Sequence, residues 1–279
     1  MIKRSEAKEE EMFDQENPDP QFVWFIAEVK KRLNLDLSGY KPHRVKRRTD
    51  MLLRKYNVAS YQDFMKMIMS DEKKKEEYLD KMTINVTEFF RNPEKWEAIK
   101  KTHLPGLMKQ NGGKVKIWSA GCSSGEEPYS MGILLEELKA PFSAGILATD
   151  IDTGVLAKAK TGIYDERSFV STSEEVLKRY FKKIDEDTYE VQPSVKNRVQ
   201  FRKHNMLQDP FEKNLDMIVC RNVVIYFEAE TKTLLYKNFV DALRVGGILF
   251  VGSTERIFNY RSLNLKVIEP FFYQKEGSV

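Results

Sequence analysis

The chain has 279 residues, 41% of them hydrophobic and 32% charged, with a net charge of +4. That balance supplies a core beneath a charged surface and excludes a disordered chain or a minimal fold. No apolar run approaches the ~20 residues of a membrane span, and the N-terminus lacks the basic-then-apolar order of an export signal, so a soluble cytoplasmic protein without membrane insertion is expected.

Residues 1–20 are polar and acidic and end in Asn-Pro-Asp-Pro; such a composition buries too little to offset its ordering entropy, and a flexible leader is expected. Over 21–80 the apolar residues recur at helical spacing, as in Phe22, Phe25, Ile26, Val29, Leu33 and again in Tyr61, Phe64, Met65, Ile68, which predicts a small helical domain. Its middle helix carries seven Lys or Arg and one Asp between Lys41 and Lys55, a density that suggests an acidic partner. The following run, DEKKKEEYLDK, reads as an exposed helix or loop. Residues 81–112 form a linker between this domain and the next.

From 113 to 279 the rhythm changes to short β-rich runs separated by helical stretches, the pattern of βαβ units and a parallel sheet. Strands are expected at Val115–Ala120, Ile146–Asp150, Val199–Asn205, Leu215–Arg221 and Ile248–Gly252. Helices are expected near Glu127–Leu138, Thr153–Lys160 and Ala229–Leu243, the last stopped by Arg244, Gly246 and Gly247. Residues at about 180–200 read as a small antiparallel insert, and the final LNLKVIEP and FFYQK as an antiparallel hairpin on the sheet edge. Cys122 and Cys220 are far apart and sit in or beside apolar runs, which argues against a disulfide framework or a metal cluster. No metal is expected.

The first strand of this domain runs into Gly121-Cys122-Ser123-Ser124-Gly125-Glu126-Glu127-Pro128, a glycine-bearing turn that opens a helix. The second ends in Ala148-Thr149-Asp150, which puts a carboxylate at a strand's carboxyl end, where a ribose diol can be held. No Gly-Lys-Ser/Thr follows, and Glu126 and Glu127 would repel a pyrophosphate but not a cationic sulfonium. A literal G-x-S-x-G at Gly121–Gly125 raises the alternative of a hydrolase elbow. Against it, no oxyanion-type glycine run precedes it, and Glu-Glu-Pro crowds the place an oxyanion would take. The histidines, His43, His103 and His204, are scattered, and none is placed as a base.

The string MTINVTEFFRN (Met82–Asn92), with WSAGCSSGEEPYS, ATDID and CRNVVIYF in that order, resembles the chemotaxis receptor methyltransferases of the CheR family over nearly the whole chain after the leader. The resemblance implies an α/β fold: a Rossmann-like class I S-adenosylmethionine methyltransferase domain with a small antiparallel β-subdomain, preceded by an all-α N-terminal domain. It implies S-adenosylmethionine as cofactor, S-adenosylhomocysteine as product, and glutamate side chains of chemoreceptors as the groups methylated, for chemotactic adaptation. By the same resemblance Asn85, Thr87 and Arg91 would face the cofactor, Glu127 and Asp150 would hold its amino-acid or ribose portion, and Asn205 and Met206 would border the adenine. Arg221 and Asn222 would complete the pocket, with Tyr226 close to the transferred methyl and Arg91 also catalytic. Whether Glu126 or Glu127 makes the contact stays open, since neighbours on a helix point ~100° apart.

The chemistry suits such a site. A glutamate carboxylate, ordinarily of pKa ~4.3, is already an anionic nucleophile at neutral pH and needs no base, only alignment and exclusion of water. Since receptor methylation sites lie on acidic coiled-coil helices, Arg44, Lys46, Arg47, Arg48, Arg54 and Lys55 would steer and align them. Nucleic acid is not the expected partner, because interleaved aromatics and a recognisable nucleic-acid fold are absent, and a monomer is expected. The alternative reading is an S-adenosylmethionine-binding sensor without catalysis; the presence of Arg91, Asp150 and Tyr226 weighs against it.

Overall fold

The computed structural model describes residues 19–33, 35–83 and 87–277. Residues 1–18 of the expected leader, and Asn85, lie outside the described residues. The chain divides into two compact units, one of residues up to 84 joined by Tyr226–Thr231, the other of residues 85–225 and 232 onward.

The first unit is built from α1 (Pro20–Leu33), α2 (Pro42–Lys55), α3 (Tyr61–Ser70) and α4 (Glu72–Thr83). Phe22, Phe25 and Val29 share one face of α1 and are buried there. Pro42 opens α2, where a missing N–H costs nothing, and Ser60 caps α3, its Oγ accepting the N–H of Asp63 at 3.1 Å. Phe25 sits at the centre, its ring 5.4 Å from Tyr61, 5.8 Å from Phe64 and 5.7 Å from Tyr78. Truncating such a ring costs about 3–5 kcal/mol. The charged run after Ser70 is helical, as one of its two expected forms, but it is not wholly exposed: Tyr78 and Met82 turn inward from α4 and are buried. The segment Tyr226–Thr231 is tied to this unit by backbone. Lys41 N donates to Tyr226 O at 2.9 Å and Glu228 N to Gly39 O at 3.0 Å, while the Tyr40 and Phe227 rings meet edge-on at 4.8 Å.

The second unit opens with α5 (Pro93–Ala98), which passes through a π-type turn at Ile99–His103 into α6 (Leu104–Gln110). Its main sheet contains β1 (Lys116–Ala120), β2 (Gly145–Asp150), β6 (Val199–Lys203), β7 (Leu215–Cys220), β8 (Leu243–Val251), β9 (Leu265–Glu269) and β10 (Phe272–Lys275) in the order β6-β2-β1-β7-β8-β10-β9. The first five strands of that order run parallel, and β10 is antiparallel to β8 and β9. The terminal hairpin therefore closes one edge. Every residue of the central strand β7 is buried, as a strand covered on both faces requires.

Helices α7 (Glu126–Glu137), α8 (Thr153–Thr161) and α11 (Ala229–Ala242) make the crossovers. Ile117, Ile146, Val219, Ile248 and Phe250 from the strands pack with Ile133 and Leu135 of α7 in one core. A second sheet, in the order β3-β5-β4, joins β3 (Ile163–Asp165), β4 (Phe181–Lys183) and β5 (Thr188–Val191) antiparallel. It takes its first strand from before α9 (Glu174–Tyr180), upstream of the 180–200 stretch, and α10 (Pro193–Lys196) follows it. One expected boundary is corrected. The glycines after α11 do not stop the helix: Leu243 already belongs to β8, and Gly246 and Gly247 lie within that strand, where its pairing with β7 shifts register.

Candidate active site

The chain runs from β1 outward to β2 and β6, then returns to β7 on the other flank of β1. This makes the carboxyl ends of β1 and β7 the point where the strand order reverses, the crevice in which open α/β sheets take their ligands. The turn after β1 is held rigidly there. Gly121 N and Cys122 N both donate to Thr149 O, at 2.8 and 2.9 Å, and Tyr164 OH donates to Ser124 O at 2.6 Å. Gly125 has φ +98°, and a Cβ there would lie 2.9 Å from both Ala159 Cβ and Tyr164 Oη, so the turn into α7 needs glycine.

The two acids that open α7 have different partners. Glu126 is buried and accepts the Ser124 hydroxyl at 2.8 and 3.0 Å. Glu127 accepts the Ser119 hydroxyl at 2.8 Å and lies 3.6 Å from Arg221 Nη1. Burial raises the Glu127 carboxyl above its ordinary range against the pull of Arg221.

Arg221, just past β7, joins several parts of this site. Its Nη2 donates to Arg91 O at 2.9 Å and to Asn92 Oδ1 at 2.7 Å, and its guanidinium lies 4.8 Å from the Phe250 ring. Burial lowers its pKa, and the like charge of Arg91 adds to the effect. Its Nε is buried without a hydrogen-bond partner.

Asp150, at the end of β2, accepts Ser123 N at 2.9 Å and Asp152 N at 3.0 Å; burial raises it too. The structure thus gathers Glu127, Arg221 and the Arg91 backbone, with Asp150 at the end of the strand beside β1. Asn205 is engaged in its own turn, its Oδ1 accepting Leu207 N at 3.0 Å. Thr87 and Met206 are half-buried, and among the described residues no hydrogen bond joins Thr87, Asn205 or Met206 to the Glu127–Arg221 pair. Asn222 has φ +60° and presents its N–H to the Glu255 carboxylate at 2.6 Å.

In the helical unit the basic residues of α2 separate into two sets. Arg47, Arg54 and Lys55 are exposed, and Arg44 and Lys46 are half-buried. Lys46 pairs with Asp50 at 2.9 Å and Lys55 with Glu77 at 2.6 Å. Arg48, expected on the docking face, is turned inward and is only 6% exposed. Helical spacing puts it on the side of Val45 and Leu52, where Nη1 donates to Met82 O at 2.9 Å and the guanidinium lies 5.0 Å from the Tyr226 ring. It therefore touches the tyrosine rather than a docking partner.

Sequence reasoning misses Ser119, Asn92 and Glu255. Ser119 sits inside an apolar run, and Asn92 reads only as the end of a motif. Glu255 follows β8 in an unremarkable Gly-Ser-Thr-Glu turn, so its only signal is an acid placed directly after a buried strand.

Residues 20–83 match the CheR methyltransferase all-alpha domain, and residues 85–269 the CheR methyltransferase SAM-binding domain. A chemotaxis protein methyltransferase of Listeria innocua is 39% identical over 258 residues, covering 92% of this chain and 98% of its own. Chemotaxis protein methyltransferase 1 of Pseudomonas aeruginosa is 35% identical, over 85% of this chain and 90% of its own, and a chemotaxis protein methyltransferase of Borreliella burgdorferi is 33% identical, over 90% and 92%. With both family domains matched in order and relatives aligned over most of their length, the chain belongs to the CheR methyltransferase family, and the unit that carries Glu127, Asp150 and Arg221 contains its S-adenosylmethionine-binding domain.

Proposed function

We propose that the protein methylates glutamate side chains on the cytoplasmic coiled-coil helices of chemoreceptors, leaving glutamate methyl esters and S-adenosylhomocysteine, and that it works in the cytoplasm as a monomer with no nucleic-acid partner. The observation that carries this reading is the pair of buried carboxylates, Glu127 in the first turn of α7 after β1 and Asp150 at the carboxyl end of the adjacent parallel strand β2.

The residues present fit the cofactor. Burial works against the charge of both carboxylates, so a cationic ligand is what this crevice stabilises. In this reading Asp150 takes the ribose diol, Glu127 an ammonium group, Asn205 and Met206 the adenine, and Asn222 with Thr87, Arg91 and, by the sequence resemblance alone, Asn85 the remainder. Arg221 holds Glu127 and the Arg91 backbone in register. When bound, S-adenosylmethionine supplies an electrophilic methyl on a sulfonium.

The chain's own residues then have limited but definite tasks. Arg91 receives the substrate carboxylate by a charge-assisted hydrogen bond, and Tyr226 fixes its line of approach. Neither takes a proton, because the nucleophile is already ionised at neutral pH. Alignment is where such a site gains most of its rate, since a properly oriented pair can be worth about 7–11 kcal/mol of barrier. Arg44, Lys46, Arg47, Arg54 and Lys55 steer the acidic receptor helices. Their ion pairs with Asp50 and Glu77 are surface pairs worth ~0–1 kcal/mol, which an acidic partner can displace.

Mass spectrometry of receptor peptides after incubation with protein and cofactor tests the proposal. A methyl gained on glutamate, absent with Arg91→Ala, supports it. Cofactor binding without any modified peptide would favour the sensor reading.

A further inference from the structure

The first turn after β8 carries a carboxylate with an unusual set of partners. Glu255 N donates to Gly252 O at 2.9 Å, which folds the side chain back over the end of the strand. Its Oε2 accepts Asn222 N at 2.6 Å and Gly252 N at 2.8 Å, and its Oε1 accepts Ile225 N at 3.3 Å. Three backbone amides thus converge on one buried carboxylate, two of them from the loop after β7. The Tyr236 hydroxyl adds a bond to the Glu255 carbonyl at 3.2 Å.

Nothing in the packing of the sheet requires a charge there. A buried carboxylate is costly, and an apolar side chain of similar size would commonly be as stable or more so. What only a carboxylate offers is enough acceptor sites for several amides at once. Space for it is reserved by Gly252, since a Cβ at that position would collide with Glu255 Oε2 and lie 2.9 Å from Asn222 N. The loop it holds begins at Asn222, forced into the left-handed region at φ +60°, directly after Arg221.

We propose that Glu255 is a positioning residue for methyl transfer: it fixes the backbone of the Asn222–Ile225 loop, and through it the presentation of Asn222 to the cofactor. This rests on the reaction proposed above. In this proposal Glu255 acts through the loop, so its effect is read on the reaction and not only on folding.

The test compares wild type with Glu255→Gln, Glu255→Asp and Gly252→Ala, each first shown by thermal unfolding to be folded at the assay temperature. Gln offers one oxygen where the loop needs two, so Glu255→Gln is expected to lose roughly tenfold or more in kcat, with KM for receptor membranes within about twofold of wild type. Glu255→Asp is expected to recover part of the loss. Gly252→Ala keeps the carboxylate but displaces it, and is expected to reproduce the defect. Folded Glu255→Gln with wild-type kcat would overturn the inference, as would a loss matched entirely by the unfolded fraction. S-adenosylhomocysteine affinity by calorimetry separates this outcome from failure of the reaction itself. If wild type transferred no methyl to receptors, the inference would still require Glu255→Gln to bind S-adenosylhomocysteine about fivefold more weakly or worse, and unchanged affinity would sink it.

Discussion

Glu127 and Asp150 are both raised by burial above the ordinary carboxylate range, and the sign of the consequence can be worked out. In the protein without ligand, the folded state holds a proton on each group at pH values where the unfolded chain does not. These sites therefore lose stability as pH rises through the raised values and regain it as pH falls. The ammonium group that S-adenosylhomocysteine shares with S-adenosylmethionine demands an ionised carboxylate, so its binding must expel that proton on the acid side. Calorimetric titration with S-adenosylhomocysteine from about pH 8 to about pH 5 is expected to show affinity falling on acidification, by up to about tenfold per unit for each proton expelled. Affinity independent of pH would mean that these carboxylates do not meet the ligand's charge. At the same scale, Arg48→Ala removes a buried donor to Met82 O and a cation lying on the Tyr226 ring. It is expected to destabilise the protein by about 2 kcal/mol in urea unfolding and to lower kcat at unchanged receptor KM; a rise in KM alone would restore it to a docking role.

The elements are legible in the sequence where burial is symmetric. β7 reads as an apolar run broken only by Asp216 because both of its faces are covered, and α1 as a helix because one side of it is buried. Errors arise where one residue type serves two purposes. Gly246 and Gly247 carry the marks of a helix stop, but lie in β8 at a shift of register. Charge groups Arg48 with its neighbours, although its spacing from Val45 and Leu52 already places it inside. Glu255 is invisible because its partners are backbone amides, two of them some thirty residues upstream, and an amide has no letter in the sequence. α2 allows a further prediction. With Arg48 buried, steering falls to the outward residues, so Arg47→Glu combined with Arg54→Glu is expected to raise receptor KM severalfold at low salt. The gap should close as salt rises, with S-adenosylhomocysteine affinity unaltered throughout. An unchanged KM would leave this face as solvated surface.

On the scale of the whole molecule, division of labour follows from two cores. The helical unit carries the basic residues of α2 and holds the Tyr226–Thr231 segment as its own. The other unit carries the acids and arginine of the crevice on a sheet whose strand order reverses beside them. Net charge is only +4, so the contrast between a basic helix and an acidic crevice matters more than the average. No described helix is long and apolar enough to cross a membrane, and no described cluster of His, Cys, Asp and Glu is arranged to hold a metal ion. The central claim is ester formation on glutamate with Arg91 and Asp150 in the site. It is tested most directly by transfer of tritiated methyl from S-adenosylmethionine to chemoreceptor-containing membranes, with wild type, Arg91→Ala and Asp150→Ala side by side and the product treated with alkali. The account predicts label that alkali releases and that each substitution lowers by roughly a hundredfold; alkali-stable label, or full transfer by either variant, would contradict it.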